Sequence, residues 1–545
     1  MVETANIARH LAFMAARAPA QPALKIPRGR TRAGDIDYLA LTFAELAAET
    51  AAWRAHLAAR GVRPGDRALV MVRPGLPLIA SVFALFALGA VPVIIDPGMG
   101  RKNFLTCVAR SRPRVLVGVP LAQILSHVFR RPFRSVEMRV AVSGKLTARL
   151  SQPSDENSKL EILIGGAATD LAAVLFTSGS TGAPKGVCYE HGMFEAQIRL
   201  VRETYGIEPG EIDLPLLPVF ALFNPALGFT TIVPELDPRR PAAADPAKMV
   251  QAIRQENITS SFGSPTLWRK IASHCLAQKI TLPSLRRVLC AGAPVPADLW
   301  KNSRSWLPNG RLHSPYGATE ALPISTVSAD EIEPASVRGA CVGRPLPGLT
   351  IRIIAINEAP IASVADVRVL PSGEIGEVIV RGPVVTKIYD ALPQATAAAK
   401  IQDGDTVWHR MGDCGYFDEG GRLWFCGRMA ERVETTAGPM FTEPCEQVFR
   451  AHPQVMRCAL IGLGSRGAQQ PALVVEGKPK SAAAAAAFAR ELRALAQMHP
   501  HTAAINSFYF HPQFPVDVRH NAKIHRLALA RWAATAKGFM PALGQ

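Results

Sequence analysis

The chain has 545 residues, enough for about three to four ordinary domains or two large ones, which excludes a small disulfide-held scaffold. Apolar residues make up 48% of the chain and charged residues 19%, a globular composition that excludes disorder throughout. Lysine and arginine total 61 against 44 aspartates and glutamates. The resulting net charge of +17 favours an anionic partner such as a nucleotide, a nucleic acid, an acyl carboxylate or a membrane surface.

The cysteines and the N-terminal segment indicate a reducing compartment. The nine cysteines are scattered and form no Cys-x-x-Cys pair or zinc spacing, so we expect buried free thiols. The apolar stretch between His10 and Arg17 has six residues and is too short for the core of a secretory signal. We therefore expect a cytoplasmic protein.

Residues 74–95 carry no charge and are long enough on paper to cross a bilayer. Three prolines and two glycines divide this stretch into a helix and a β-rich tail at 91–95. The pattern predicts a buried helix and strand, and a chain that does not span a membrane.

The chain order of the predicted elements indicates an α/β fold. Short runs rich in β-branched residues alternate with helical patterns, at 68–72, 91–95, 115–119, 171–176 and 288–291. This alternation predicts parallel sheets covered by helices on both faces. After Thr350, short strands at 351–356, 377–380 and 422–425 lie between Gly and Pro turns and predict a β-rich subdomain.

Two segments have a biased composition. Ser481 precedes six alanines, with Phe488, Leu492 and Leu495 at helical spacing, and this predicts a surface helix with Ser481 as its N-cap. The polar residues 151–159 are the best candidate for a disordered excursion.

A glycine-rich loop follows the strand predicted at 171–176. Its three glycines can turn backbone N–H groups inward, and its hydroxyls and one lysine add donors and charge, as a phosphate site requires. It is not a Walker loop, because proline precedes the lysine and no Ser or Thr follows it. A flexible loop without a ligand is the alternative. The loop reads Thr177-Ser178-Gly179-Ser180-Thr181-Gly182-Ala183-Pro184-Lys185-Gly186.

The string FTSGSTGAPKGV, at 176–187, resembles the phosphate loop of the adenylate-forming enzymes, the superfamily of acyl-CoA synthetases, nonribosomal adenylation domains and firefly luciferase. Further motifs follow in the order found in that family. Gly292, Ala293 and Pro294 lie in a segment similar to its adenine pocket. The string SPYGATE, at 314–320, resembles its YGxTE motif.

The YGxTE resemblance implies that Tyr316 stacks on adenine beside Gly317, that Thr319 contacts phosphate and that Glu320 holds magnesium. The string MGDCGYFDEGGRLWFCGR, at 411–428, is similar to the family's TGDxGxxDxxGxLxxxGR, which implies that Asp413 and Arg428 bind the ribose hydroxyls. The string DVRHNAKIHR, at 517–526, takes the place of the family's C-terminal GKIxR. This resemblance makes Lys523 the mobile catalytic lysine.

The resemblance also implies an architecture and cofactors. We expect a large N-terminal lobe at 1–428, which binds ATP and combines parallel α/β subdomains with the β-rich one. We expect a small mobile α+β lid at 429–545. In such enzymes the acid carboxylate attacks the α-phosphate of ATP, so cations must offset two approaching anions. Lys185, Mg²⁺ on Glu320 and Lys523 would supply them.

Departures from the family pattern affect the second step. The family swaps active faces about a hinge where Asp or Lys is usual, but this chain has Ala430, and Glu434 replaces a common lysine. These departures leave thioester formation with coenzyme A open. Strings such as DLPLLPVFALFNPALGFT and FPVDVRHNAKIHR are most similar to the β-lactone synthetases of bacterial long-chain olefin biosynthesis. That resemblance implies that the 3-hydroxyl of a 2-alkyl-3-hydroxy fatty acid attacks the adenylate and closes a β-lactone.

Three alternatives remain at this stage. The chain can instead be a long-chain fatty-acid–CoA ligase, or a ligase that loads a carrier protein. A basic nucleic-acid-binding or membrane-binding module without catalysis is disfavoured, because the motif lysines, Glu320, Asp413 and Arg428 are all present and no nucleic-acid motif occurs.

The acyl pocket and the base of the second step are less well defined. We interpret His191 as a structural histidine, and the sequence assigns no base to lactone closure. That several of the apolar pocket candidates pack the core instead is the alternative. The candidates, suited to long alkyl chains, are Phe220, Phe223, Phe229, Phe262, Trp268 and Leu322.

The positive charge is concentrated in one segment. Residues 101–150 hold eleven lysines or arginines and Glu137 as their only acidic residue, so they carry +10 of the net +17. The apolar residues Leu121, Ile124, Leu125, Val128 and Phe129 lie beside Arg130 and Arg131 in this segment. We hypothesise a contact with an anionic membrane surface or an acidic protein of the same pathway, and a solvated basic face is the alternative.

Overall fold

The computed structural model describes residues 5–142, 166–177, 183–237, 240, 243–332, 338–516 and 523–541. The predicted excursion at 151–159 lies outside the described residues.

The described helices alternate with strands through most of the chain. They are α1 Arg9–Arg17, α2 Phe43–Ala59, α3 Leu76–Ala87, α4 Arg101–Ser111, α5 Pro120–Val128, α6 His191–Tyr205, α7 Asn224–Leu227, α8 Pro246–Gln255, α9 Pro265–Gln278, α10 Ala297–Lys301, α11 Ser303–Trp306, α12 Pro393–Ala399, α13 Thr442–Arg450, α14 Ala482–Gln497 and α15 Arg526–Ala533.

The strands of the first half are β1 Pro22–Arg30, β2 Ile36–Thr42, β3 Arg67–Met71, β4 Val91–Ile95, β5 Val115–Gly118, β6 Met138–Ala141, β7 Leu171–Thr177, β8 Lys185–Glu190, β9 Ile212–Pro215, β10 Thr230–Ile232, β11 Ser260–Gly263 and β12 Arg287–Cys290. Those of the second half are β13 Arg311–Ala318, β14 Ala321–Ser328, β15 Ala340–Pro345, β16 Thr350–Ile354, β17 Gly376–Arg381, β18 Lys400–Asp403, β19 Thr406–Phe417, β20 Leu423–Arg428, β21 Val433–Thr435, β22 Gly438–Met440, β23 Cys458–Leu463, β24 Gln470–Glu476 and β25 Ser507–His511.

A six-stranded sheet carries the first half of the α/β fold. Its strand order is β6-β5-β3-β4-β7-β8, parallel except for β8, which pairs antiparallel with β7. The uncharged stretch at 74–95 becomes α3 and β4, both largely buried, as its prolines and glycines predict. Among the described residues, no helix combines the length and apolar character needed to cross a bilayer.

A second sheet of 14 strands joins two predicted parts of the fold. It runs β16-β17-β19-β20-β15-β14-β13-β12-β11-β9-β10-β1-β2, with β18 paired to β19. Strands β9 to β13 are parallel, and from the β13–β14 pair onwards the pairing is antiparallel. The predicted β-rich subdomain therefore exists, but it continues the α/β sheet, because β15 pairs with both β14 and β20.

The C-terminal part has its own sheet and core. Strands β23, β24 and β25 form a three-stranded sheet, and β21 and β22 form a hairpin. Helix α14 packs on this sheet through Ala489, Leu492 and Ala496. Ser481 accepts a hydrogen bond from the Ala484 N–H at 3.1 Å, which confirms the predicted N-cap.

The nine cysteines are free thiols, as predicted. Eight of them are buried, and Cys341 is half-buried.

A buried ion pair links two neighbouring strands in the antiparallel region of the large sheet. Glu377 on β17 is 0% exposed and Arg410 on β19 is 7% exposed. Arg410 donates to both carboxylate oxygens, at 3.0 and 2.7 Å. Its guanidinium also donates to the carbonyl of Ala359, so the cation is held on several sides.

Replacing Glu377 with Gln leaves this cation buried without its counter-ion. We expect the free energy of unfolding to fall by about 3–5 kcal/mol, measured by urea denaturation. Glu374→Gln, on the exposed turn before β17, is the matched control and should change stability by less than about 0.5 kcal/mol. Equal effects of the two substitutions would contradict a structural role for the pair.

Candidate active site

A cavity of about 2430 Å³ brings the sequence motifs together. It lies where β8, β12, β13, β19 and β20 meet the C-terminal part of the chain. Thr177 is the last residue of β7, and Ser178, Gly179, Ser180, Thr181 and Gly182 lie outside the described residues. The predicted site residues that line the cavity are Lys185, Gly292, Ala293, Pro294, Tyr316, Gly317, Thr319, Glu320, Asp413, Arg428 and Lys523.

Strand register places the predicted ribose-binding pair. Asp413 on β19 lies directly opposite Arg428 on β20. The Tyr316 hydroxyl donates to Asp413 Oδ2 at 2.6 Å, and Arg428 Nη1 lies 2.9 Å from Asp413 Oδ1. Burial raises the pKa of Asp413, against the opposing effects of Arg428, Tyr316 and Lys523. The Lys523 side chain is thus near enough for its charge to act on this carboxyl.

Asp413 Oδ1 is a buried acceptor with unused capacity. No hydrogen bond from the described residues reaches it, although the Arg428 cation is adjacent. A buried oxygen in this condition carries a desolvation cost that a ligand O–H removes. The arrangement therefore fits a sugar hydroxyl, which can donate to Oδ1 beside the guanidinium.

Glycine is required near the end of β13, just before the chain turns into β14. A Cβ placed on Gly317 would lie 2.5 Å from the Ala321 carbonyl oxygen. The tight turn sets Tyr316 on one side and Glu320 on the other within the same cavity.

The Glu320 carboxylate is held by residues that no motif identified. The Tyr389 hydroxyl donates to Glu320 Oε1 at 2.7 Å. Thr386 fixes the backbone, since its N–H and Oγ1 donate to the Glu320 carbonyl at 2.9 and 3.0 Å. Lys185 Nζ lies 4.7 Å from the centre of the Tyr389 ring. Tyr389 thus connects the end of the phosphate loop to the predicted metal ligand.

A second lysine, which is buried, contacts the residues that hold Glu320. Lys400 is 3% exposed, donates to the Thr386 carbonyl and lies 3.3 Å from Thr386 Oγ1. Burial lowers the pKa of Lys400 to about 7, Glu320 opposes the shift and Lys185 adds to it. A lysine after a run of alanines is typical of an exposed helix end. Here α12 ends at Ala399, and β18 turns the next side chain inward.

The aromatic pocket candidates separate into two groups. Phe220, Phe262 and Leu322 line the cavity, and the rings of Phe220 and Phe262 stack with centres 3.9 Å apart.

The other candidates pack the core. Phe223 contacts Phe194, Phe229 is buried, and Trp268 is fully buried against Trp306. These three do not line the cavity, which favours the alternative that they pack the core, because apolar composition does not distinguish a lining side chain from a packed one.

His191 is a structural histidine, as interpreted from the sequence. It is 3% exposed, and its Nδ1 accepts a hydrogen bond from the Ile7 N–H at 3.5 Å. Burial lowers its pKa to about 4, and its ring contacts Phe86 edge-on.

A network of ion pairs anchors the segment that carries Lys523. Three residues further on, Arg526 donates to both oxygens of Glu446, at 2.7 and 2.8 Å, and to Glu431 at 2.9 Å. Glu431 directly follows Ala430, which itself lines the cavity. The lysine segment is therefore tied to the residue next to the proposed hinge.

Comparison with known proteins agrees with this geometry. Residues 14–390 match the family model described as AMP-binding enzyme. This chain belongs to the AMP-binding enzyme family. The olefin beta-lactone synthetase of Xanthomonas campestris pv. campestris is 44% identical over 552 residues, which cover 98% of each chain. That of Stenotrophomonas maltophilia is 44% identical over 551 residues, 97% of this chain and 98% of the relative.

The fold agrees with solved structures of lower identity. ATP-bound MatB from Rhodopseudomonas palustris superimposes with a TM-score of 0.78 at 22% identity, covering 98% of this chain and 99% of that one. Together, the family and its relatives make the chain an ATP-using ligase that forms acyl-adenylates.

The buried Lys400 gives the folded chain a specific pH dependence. Its folded pKa of about 7 lies below the ordinary 10.5, so its charge destabilises the fold fully below pH 7 and progressively less at higher pH. Relative to Lys400→Met, the unsubstituted chain should gain about 2–3 kcal/mol of stability between about pH 6 and about pH 9. Denaturant unfolding at both pH values measures this. The exposed control Lys480→Met should show no such change. If the stability difference between the unsubstituted chain and Lys400→Met is the same at both pH values, Lys400 is not a buried charge.

Proposed function

We propose that the chain converts a long-chain 2-alkyl-3-hydroxy fatty acid and ATP into a β-lactone, AMP and pyrophosphate. The observation that carries the second step is the 44% identity to two olefin beta-lactone synthetases over nearly the whole chain. The first step is supported by the family membership and by the convergence of the adenylation motifs on one cavity.

In the first step a carboxylate oxygen attacks the α-phosphorus of ATP, an acyl–AMP bond forms and pyrophosphate leaves. Lys523 is proposed to bridge the two approaching anions, and Lys185, with Thr319 and the phosphate loop at 177–182, to hold the leaving phosphates. Asp413 and Arg428 are proposed to hold the ribose hydroxyls. Tyr316 and Gly317 would border the adenine together with the segment at 292–294.

Mg²⁺ fits the donors at Glu320. Mg²⁺ usually takes one or two carboxylates and completes its shell with water and substrate phosphates. Tyr389 occupies Glu320 Oε1, and no hydrogen bond from the described residues reaches Oε2. The ion would neutralise phosphate charge, while Tyr389 holds the Glu320 carboxylate and Thr386 holds its backbone carbonyl.

In the second step the 3-hydroxyl oxygen attacks the acyl carbonyl, its proton leaves to a base or water, and AMP departs as the ring closes. The nucleophile is tethered to the electrophile, so a high effective concentration replaces a second substrate. Phe220, Phe262 and Leu322 supply apolar surface for the alkyl chains. Residues 429–545 are proposed to act as the lid that brings Lys523 to the cavity.

Lys523→Ala tests the first step. We expect ATP–pyrophosphate exchange to fall by about 100-fold or more, because one cation is lost where negative charge accumulates. ATP binding, measured by equilibrium dialysis, should change by less than about threefold, since the other contacts remain. The control is Lys480→Ala, an exposed lysine of the same C-terminal part, which should leave both values unchanged. Exchange that survives Lys523→Ala would remove this residue from the mechanism.

An assay with and without a thiol substrate tests the second step against the acyl-CoA ligase alternative. The chain is given ATP, Mg²⁺ and either a long-chain 3-hydroxy acid or the same acid without the hydroxyl, with and without coenzyme A. We expect AMP and lactone from the hydroxy acid alone, identified by mass spectrometry. The acid without the hydroxyl should support pyrophosphate exchange but only slow AMP release. Product formation that strictly requires coenzyme A would overturn lactone closure and leave adenylation standing.

A further inference from the structure

Helix α5 presents an apolar stripe to solvent. Leu121, Ile124 and Val128 are 62%, 59% and 65% exposed, whereas Ala122 and Ser126 are buried against the protein. At 100° per residue, the three exposed positions fall within about 60° of one another around the helix axis. The stripe is therefore continuous and faces away from the core. Contiguous apolar side chains on a surface usually mark a contact site.

Positive charge surrounds the end of this stripe. Arg130, Arg131 and Arg134 follow α5 directly and are exposed. Arg139 on β6 donates to Ser126 on the inner face of α5 at 3.0 Å. The only carboxylate in 101–142 is Glu137, and it is paired with Arg114 at 2.8 Å. The charge around the stripe is complementary to an anionic surface.

The size of the stripe favours a bilayer over a protein partner. Three aliphatic side chains cover far less than the ~800 Å² that each partner contributes to a stable protein interface. Interface cores are also enriched in aromatic side chains, and none is exposed on this stripe. Membrane adsorption needs a smaller apolar surface, because shallow insertion of a few apolar side chains acts together with the attraction between arginines and anionic headgroups.

We propose that α5 and the arginines at 130–134 dock the chain on an anionic phospholipid surface. Leu121, Ile124 and Val128 would enter the headgroup boundary while the guanidiniums bind lipid phosphates. The attachment is peripheral and sensitive to salt. The docking itself does not depend on the proposed function. Only its benefit rests on that function, because a membrane-bound chain would hold its cavity close to a water-insoluble acid.

Vesicle flotation tests the docking without ATP or acid, so its outcome is independent of the proposed reaction. The full chain is mixed with phosphatidylcholine vesicles that contain either no anionic lipid or about 30 mol% phosphatidylglycerol. We expect binding to the anionic vesicles in about 50 mM NaCl and a loss of about tenfold or more in about 500 mM NaCl. Absence of binding to anionic vesicles at low salt would overturn the proposal.

Two variants and one matched control locate the surface. Arg130→Glu/Arg131→Glu and Leu121→Ser/Ile124→Ser/Val128→Ser should each reduce binding by about tenfold or more. Lys478→Glu/Lys480→Glu makes the same charge change at exposed lysines of the C-terminal part and should retain binding. ATP–pyrophosphate exchange with a soluble short acid should be unchanged in all three, which checks folding. An equal loss in the lysine control, or retained binding in both α5 variants, would overturn the assignment to α5.

Discussion

The cavity depends on how it holds two carboxylates, Asp413, which is buried, and Glu320, which is half-buried. Both are proposed to receive ligands, yet a carboxylate withdrawn from water needs partners to offset its desolvation. Each is held on one oxygen by a tyrosine hydroxyl, Asp413 by Tyr316 and Glu320 by Tyr389. A neutral donor stabilises the anion without satisfying it fully. The second oxygen therefore keeps its capacity for a sugar hydroxyl in one case and a cation in the other.

The cations around these carboxylates come from separate elements. Lys185 begins β8, Lys400 begins β18, Arg428 ends β20, and Lys523 lies before α15. Their like charges repel in a cavity of low dielectric, and Lys185 helps to lower the pKa of Lys400. Asp413 and Glu320 only partly offset the charge of these side chains, and other carboxylates of the cavity, such as Glu377 and Glu446, are paired with further arginines. A polyphosphate supplies the remaining negative charge, so its binding should stabilise the convergence of elements that are distant in the chain.

The sequence predicted most of the fold where the signal is local. The β-branched runs at 91–95 and 115–119 became β4 and β5 because a buried parallel strand requires apolar side chains on both faces. The continuity of the large sheet was not predictable, since β15 pairs on one side with its neighbour β14 and on the other with β20, which is distant in sequence.

The same distinction holds for the site. Residues within spaced motifs, such as Tyr316 and Asp413, line the cavity as expected. Tyr389 and Lys400 carry no local signal. Tyr389 lies near the charged residues Lys387 and Asp390, as an exposed residue would, and it reaches Glu320 through β-bridges of its segment to Val187 and Ala321. Their placement depends on contacts between elements that no single stretch of sequence records.

The anchor of the lysine segment bears on the proposed second step. Arg526 is held by Glu446 and by Glu431, beside Ala430 at the proposed hinge. All three charged residues lie within 429–545, so these ion pairs fix the Lys523 segment to the rest of the proposed lid and would move with it unbroken. An external nucleophile requires the lid to open a path to the adenylate. A tethered hydroxyl requires no such path, so intramolecular closure allows both steps to proceed without a rotation of residues 429–545 between them.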